Sequence, residues 1–468
     1  MKLASSLKLT IGLLAMIILP GSLHGQSWTQ LGSDILGSSA GDGAGRAVSL
    51  SADGTRIAVG SYSHDGAFTD AGQVRVFLWD GTSWSQMGNS LDGQASGDRF
   101  GWALALSGDG NSLAVGAYLN DTKGTNSGQV KVYRWDGTQW NQLGDTLNGI
   151  GTNDSFGISV DLSSDGNTMI AGASLNDDNG NNSGHVRIYT WNGTAWAQKG
   201  NTIPGANADD RFGASVAMDA SGDVFVAGAP TNSDNSTNSG EIRIFNWDGT
   251  AWNQLGADIN GSAAEDRLGI AVDLNSAGDL VSAGAIWNDN NGSNAGQVTI
   301  YDWDGSSWQQ RGNALDGKNA DDEFGTSVAF NASGDILAVG ANKNDDAGLD
   351  AGQVRVFEWD GSNWLQLGMD INGRSVDDYF GQSVSLSSSG SRLAIGAPQN
   401  DQAGAEAGMA AVYNANLMSI AEGEKVKGLS LYPNPTSSEF FITGITDQVE
   451  SVRIINSTGH MVYHNSNH

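Results

Sequence analysis

Two sets of residues in this chain have the types and spacing to do chemistry. The first is a series of oxygen-rich runs: Asn120-Asp121 with Asn126, Asn176-Asp177-Asp178 with Asn182, Asn288-Asp289 with Asn294, and Asp345-Asp346 with Asp350. Calcium takes about six to eight hard oxygens, so Asp121, Asp177, Asp178, Asp289, Asp345 and Asp346 are candidate calcium ligands and calcium is the candidate cofactor. Their spacing matches no loop with a fixed ligand order, and Asn, Asp and Gly are equally the residues that shape turns, so both readings stand. The second set is aromatic. Trp102, Tyr118 and Trp287 are candidate stacking platforms for a ligand such as a sugar.

Proton-transfer chemistry is less well provided for. Between residues 26 and 414 there are only two histidines, His64 and His185, and the chain has no cysteine. Carboxylates abundant enough for a glycosidase pair are present, but near-identical repeated units leave little asymmetry for one catalytic centre. No catalytic residue is therefore assigned.

What must position these groups is a repeat. Trp followed two residues later by Gln recurs at Trp28, Trp84, Trp140, Trp196, Trp252, Trp308 and Trp364, always 56 residues apart. In the same register stand Asp42, Asp98, Asp154, Asp210, Asp266, Asp322 and Asp378. Each lies two residues before a Phe-Gly such as Phe100-Gly101, or its equivalent Ala44-Gly45 or Leu268-Gly269. A glycine column follows at Gly60, Gly116, Gly172, Gly228, Gly284, Gly340 and Gly396. The recurring Asp is expected to hold the turn before Phe-Gly by accepting a hydrogen bond from the backbone two residues on, and the recurring Trp to be a packing residue. Trp102 differs, because its counterparts are Arg46, Ile158, Ala214, Ile270, Thr326 and Gln382.

Each unit contains four strand-like runs, in one copy 100–106, 112–117, 129–135 and 140–147. Val130 and Val132 alternate with Lys131 and Tyr133, as in a sheet covered unequally on its two faces. Tight turns join the first two runs at Asp53-Gly54, Asp109-Gly110 and Asp165-Gly166. Others join the last two at Trp79-Asp80-Gly81 and its repeats. After Val412-Tyr413 the fourth run is missing, and a spare copy stands at Trp28 to Ile35. The expected fold is therefore all-β: a seven-bladed β-propeller of 56-residue repeats, its N-terminal strand closing the last blade. The polar loops then share one face of the disc, and the tight turns occupy the other.

With Phe212-Gly213 before Gly228-Ala229-Pro230, and Phe380-Gly381 before Gly396-Ala397-Pro398, the chain resembles the FG-GAP repeat of integrin-type and secreted bacterial propellers. The Asp-x-Asp-x-Asp-Gly loop by which such propellers often hold calcium is absent between the first two strands. Leu431-Tyr432-Pro433-Asn434-Pro435-Thr436, Phe440-Phe441-Ile442 and Val452 to Gly459 are similar to the C-terminal sorting domain of the type IX secretion system of Bacteroidetes. That resemblance implies passage across the outer membrane, the secretion machinery as partner, and a short, partial β-sandwich tail that looks truncated. Lys2 and Lys8 before the apolar run Leu9–Leu19 read as an export signal, too short to span a bilayer comfortably.

The expected organisation is a signal peptide over 1–25, the propeller over 26–414, a linker over 415–428 and the sorting domain over 429–468. A net charge of −29 argues against nucleic acid as partner, because phosphate binding depends on clustered Lys and Arg. The mature chain is expected without a membrane span, secreted or at the outer cell surface. Its function is expected to be non-enzymatic binding or adhesion to a polysaccharide or surface protein, the alternatives being a propeller polysaccharide hydrolase or lyase and a structural surface-layer spacer.

Overall fold

Each 56-residue unit folds into one antiparallel sheet, and seven such sheets follow one another along the chain. The computed structural model describes residues 26–417 and, for the backbone of the tail, the strands Ser430–Tyr432, Phe441–Thr443, Ser451–Ile455 and Met461–Ser466. The expected export signal and most of the expected linker lie outside the described residues. The described residues contain no helix, and therefore none long and apolar enough to cross a membrane. In the tail the first two strands pair with each other and so do the last two.

The second blade shows why the sequence takes this form. Its strands are Ala103–Leu106, Ser112–Ala117 and Gln129–Trp135, followed by an outer edge in two pieces, Trp140–Gln142 and Leu147–Asn148. The expected single outer strand is thus broken: both pieces pair with Gln129–Trp135, and the chain bulges between them at Gly144, where φ is 73°. The inner strand starts later than expected, because Phe100 is held by a parallel bridge to Gly72 of the preceding blade. The expected unequal covering of the sheet is also corrected. Val130, Val132, Lys131 and Tyr133 are all buried, because a neighbouring blade lies on each side. Val130 and Val132 pack towards the third blade and Tyr133 towards the first blade. The apolar core is accordingly not one mass but a cluster at each junction between blades.

Three sets of contacts draw the blades together. Every glycine of the column from Gly60 to Gly396 backs onto a carbonyl of the next Phe-Gly glycine: a Cβ on Gly116 would lie 2.0 Å from the Gly157 oxygen, and one on Gly396 1.9 Å from that of Gly45. Only hydrogen fits there. Next, every Trp of the Trp-x-Gln column donates its indole N–H to a backbone carbonyl of the preceding blade, as Trp140 does to Met87 at 3.1 Å and Trp196 to Leu143 at 2.8 Å. The expected packing role is thereby sharpened to a polar staple. Finally, one backbone amide per blade bonds to the next blade's carbonyl. The series runs Ala52 to Gly108, Gly108 to Ser164, Ser164 to Ala220, Ala220 to Ser276, Ser276 to Ala332, Ala332 to Ser388 and Ser388 back to Ala52, at 2.8–3.2 Å.

That series closes on itself, so the array is a ring, with the channel along its axis. The closing blade is built from Ser383–Leu386, Arg392–Ala397 and Met409–Leu417, with the N-terminal strand Gln26–Gln30 as its outer edge in the register Trp28 to Ala415. The seam repeats the ordinary junction. Trp28 donates to the Leu367 carbonyl at 3.2 Å, and Arg374 bonds Asp34 at 2.6 Å just as Lys318 bonds Asp370 one blade earlier.

Deleting residues 26–40 should leave the last blade with an open edge and lower the thermal midpoint by more than about 5 °C. Trp28→Phe, which removes one hydrogen bond, should cost only about 1 kcal/mol. Calorimetry of both variants checks this, and an unchanged midpoint for the deletion would contradict the closure.

Candidate functional site

The long loops, between the second and third strands and between blades, form one face of the disc around the channel mouth. The recurring Asp is placed here as a structural residue, but not as the sequence suggested. Instead of bonding two residues forward, its Oδ2 accepts amides three and four residues back, as Asp42 does from Ser39 and Ser38 and Asp378 from Ser375 and Arg374. Oδ1 then accepts from a side chain 22 residues on: Asn176 for Asp154, Asn232 for Asp210, Asn400 for Asp378 and, in the first blade, His64 for Asp42. The carboxylate ties the entry of each blade to the end of its second strand. Burial raises the pKa of Asp98, Asp210 and Asp322, and these hydrogen bonds oppose the shift.

The candidate calcium ligands are occupied in a comparable way. Asp121, Asp177, Asp289 and Asp345 each accept the amide five residues on, at 2.7–2.8 Å. The residues that donate, Asn126, Asn182, Asn294 and Asp350, have φ near 50°, the left-handed geometry of a tight loop. Asp178 and Asp346 follow an Asn that caps their own amides, and Asp346 also accepts from Gln353. Among the described residues no three acidic or histidine side chains come close enough to share an ion.

The aromatic candidates separate into two places. Trp102 and Tyr118 meet at 4.7 Å between ring centres, and Tyr62, the first blade's equivalent of Tyr118, sets its edge against Trp102 at 5.3 Å. The Arg46 guanidinium lies over the Trp102 ring at 3.9 Å. Arg99 stands over Tyr62 at 5.3 Å, bonded to Ser63 and paired with Asp70 at 3.0 Å. All five side chains are half-buried. Tyr62 has room for its ring because Gly43 stands where the second blade has Arg99: a Cβ on Gly43 would fall 2.4 Å from the ring. Trp287, on the fifth blade, is not part of this group. Arg267 covers its face at 4.0 Å and its indole donates to Glu323 at 3.3 Å.

Sequence reasoning missed Arg46, Tyr62 and Arg99 as members of the group. The available signal was that Arg46 and Tyr62 occupy the same repeat positions as Trp102 and Tyr118. Asp161 and Asp273, which line the channel, were also missed. Each bonds one oxygen to the next blade's backbone, Asp161 to Met218 at 2.8 Å and Asp273 to Phe330 at 2.6 Å. Ser49 and Ser385 do the same at their equivalent positions. Burial pushes the pKa of Asp161 up to about 6 and that of Asp273 up to about 7. A serine flanked by glycines, Gly37-Ser38-Ser39-Ala40-Gly41, lies in the loop before Asp42, but no hydrogen bond joins either hydroxyl to His64.

The fold is a closed seven-bladed β-propeller in which Arg46, Tyr62, Trp102 and Tyr118 depart together from the repeat. The chain carries FG-GAP repeats, matched over 91–133, 147–189, 202–245, 310–357 and 372–413, and a secretion system C-terminal sorting domain over 430–468. The unmatched units are those with Ala44 and Leu268 in place of the Phe, yet both fold as blades. Among solved structures, hydrazine synthase of Kuenenia stuttgartiensis is similar in fold: TM-score 0.50, 14% identity, over 80% of this chain and 96% of that one. No curated protein matches. The sorting domain marks a protein exported by the type IX system, which implies interaction with that machinery and a final place at the cell surface or outside it.

A carboxyl whose pKa is raised on folding binds more protons in the folded than in the unfolded state, so stability falls as pH rises between the two values. For Asp273 that window runs from about 4 to about 7. Asp273→Asn should match the native midpoint near the bottom of the window and exceed it by about 2 °C at pH 8. Thermal scans of both proteins across the range measure the difference, and a gap independent of pH would contradict the assignment.

Proposed function

We propose that this protein is a secreted or surface-attached binding module, non-enzymatic, that holds a polysaccharide or a surface protein at the channel mouth of its long-loop face. In this reading residues 26–414 do the binding, while 1–25 and 429–468 serve export. The supporting observation is the group formed by Arg46, Tyr62, Trp102 and Tyr118, where two adjacent blades depart together from the repeat and leave half-buried aromatic surface. Aromatic faces of this kind suit the apolar face of a sugar ring, and loops on a rigid scaffold are where binding residues concentrate.

The hydrolase or lyase alternative would draw on Asp161 and Asp273, the channel carboxylates with raised pKa. Those side chains are already bonded to backbone at the same position where serines do the same work. A pure spacer would have no use for a mouth that differs from blade to blade.

Trp102→Ala and Tyr118→Ala should each weaken retention on an immobilised polysaccharide by about tenfold, with Trp287→Ala unchanged. Affinity electrophoresis in a panel of polysaccharides measures this. Equal retention of all variants would contradict the mouth as the site, and release of reducing ends from the polymer would support the enzyme instead.

A further inference from the structure

The mouth contains a cation without a partner. Arg99 is paired with Asp70, Arg374 with Asp34, and Arg187 and Arg355 donate to carbonyls of neighbouring blades. The Arg46 guanidinium has no ion pair and no hydrogen bond among the described residues, although the chain carries 52 acidic side chains against 23 Lys and Arg. Its guanidinium carbon lies 3.9 Å from the centre of the Trp102 ring. The N–H edge of a guanidinium is a planar fork that matches a carboxylate. Burial lowers the Arg46 pKa, as expected of a cation partly removed from water with no counter-charge nearby.

We propose that the mouth binds a carboxylate-bearing sugar, the uronate of an acidic polysaccharide, with the Arg46 fork on the carboxylate and the Trp102–Tyr118 pair against the sugar ring. This deepens the binding reading above and rests on it. Arg46 is the one charged residue in the column Arg46, Trp102, Ile158, Ala214, Ile270, Thr326 and Gln382. The overall charge of −29 does not prevent this, since at physiological salt charges more than about 8 Å apart are largely screened. Arg99 adds a second cation beside the group, already neutralised by Asp70, and so orders Tyr62 rather than competing for the ligand.

Isothermal titration of the propeller-bearing full chain with oligogalacturonate, a neutral malto-oligosaccharide of equal length and a sulfated oligosaccharide tests this. The uronate should bind at least about tenfold tighter than either of the others. Arg46→Gln should weaken it by about tenfold or more, and Arg46→Lys, which keeps the charge and loses the fork, should also weaken it. Neutral sugar bound as tightly as uronate, preference for the sulfate, or no effect of Arg46→Gln would each overturn the uronate assignment while leaving the binding reading intact. No binding of any sugar by the native chain would overturn both. Should Arg46→Gln fail to fold, the Lys variant and the three-ligand comparison on the native chain decide the matter.

Discussion

The structure depends on one constraint: seven sheets must approach around an axis until their backbones touch. The glycine column exists because of it, since at each junction a methyl group would collide with a carbonyl of the next blade. The cycle of amide-to-carbonyl bonds from Ala52 round to Ser388 and back is the same constraint expressed in hydrogen bonds. Once backbones meet so closely, each blade can bury both faces, and the apolar side chains need only fill the wedge between neighbours. The outer end of the wedge is widest, which is where the tryptophans stand, each reaching back to a carbonyl of the previous blade. The N-terminal strand completes the last blade for the same reason: without it one wedge has no outer wall.

That constraint divides the polar residues into two groups. Those that recur around the ring are taken up by loop geometry, the Asp column by amides and, in blades such as the third and fourth, the Asn opposite, and the loop acids by amides five residues on. The residues that vary from blade to blade at the channel mouth face no such demand. There the ring's symmetry is broken by Arg46, Tyr62, Trp102 and Tyr118, whose rings and guanidinium meet.

Most of the scaffold was legible in the sequence because a repeat of fixed length multiplies every weak signal by seven. Period, blade number, seam and the two faces could all be read from the positions of Trp, Asp and Gly. What the repeat could not convey was bond direction. The Asp column reaches backward to amides three and four residues earlier, and nothing in the spacing separates that from a forward turn. Nor did the period show that the outer strand breaks at Gly144, because a break repeated in every blade leaves the period unchanged. The candidate site was half legible. Trp102 and Tyr118 stood out as departures from the repeat, whereas Arg46 and Tyr62, equally unlike their counterparts, become meaningful only when adjacent blades bring them to the same rings. Trp287 stood out for the same reason as Trp102, but Arg267 covers its ring.

The central claim is that recurring residues build the ring while the departures at the mouth make the contacts outside it. Hydroxyl-radical footprinting with and without an acidic polysaccharide tests it most directly, because it reads every aromatic side chain at once. The account predicts protection of Tyr62, Trp102 and Tyr118 alone, with Trp287 and the seven recurring tryptophans unchanged. Protection spread evenly over the seven blades, or confined to the tight-turn face, would contradict it.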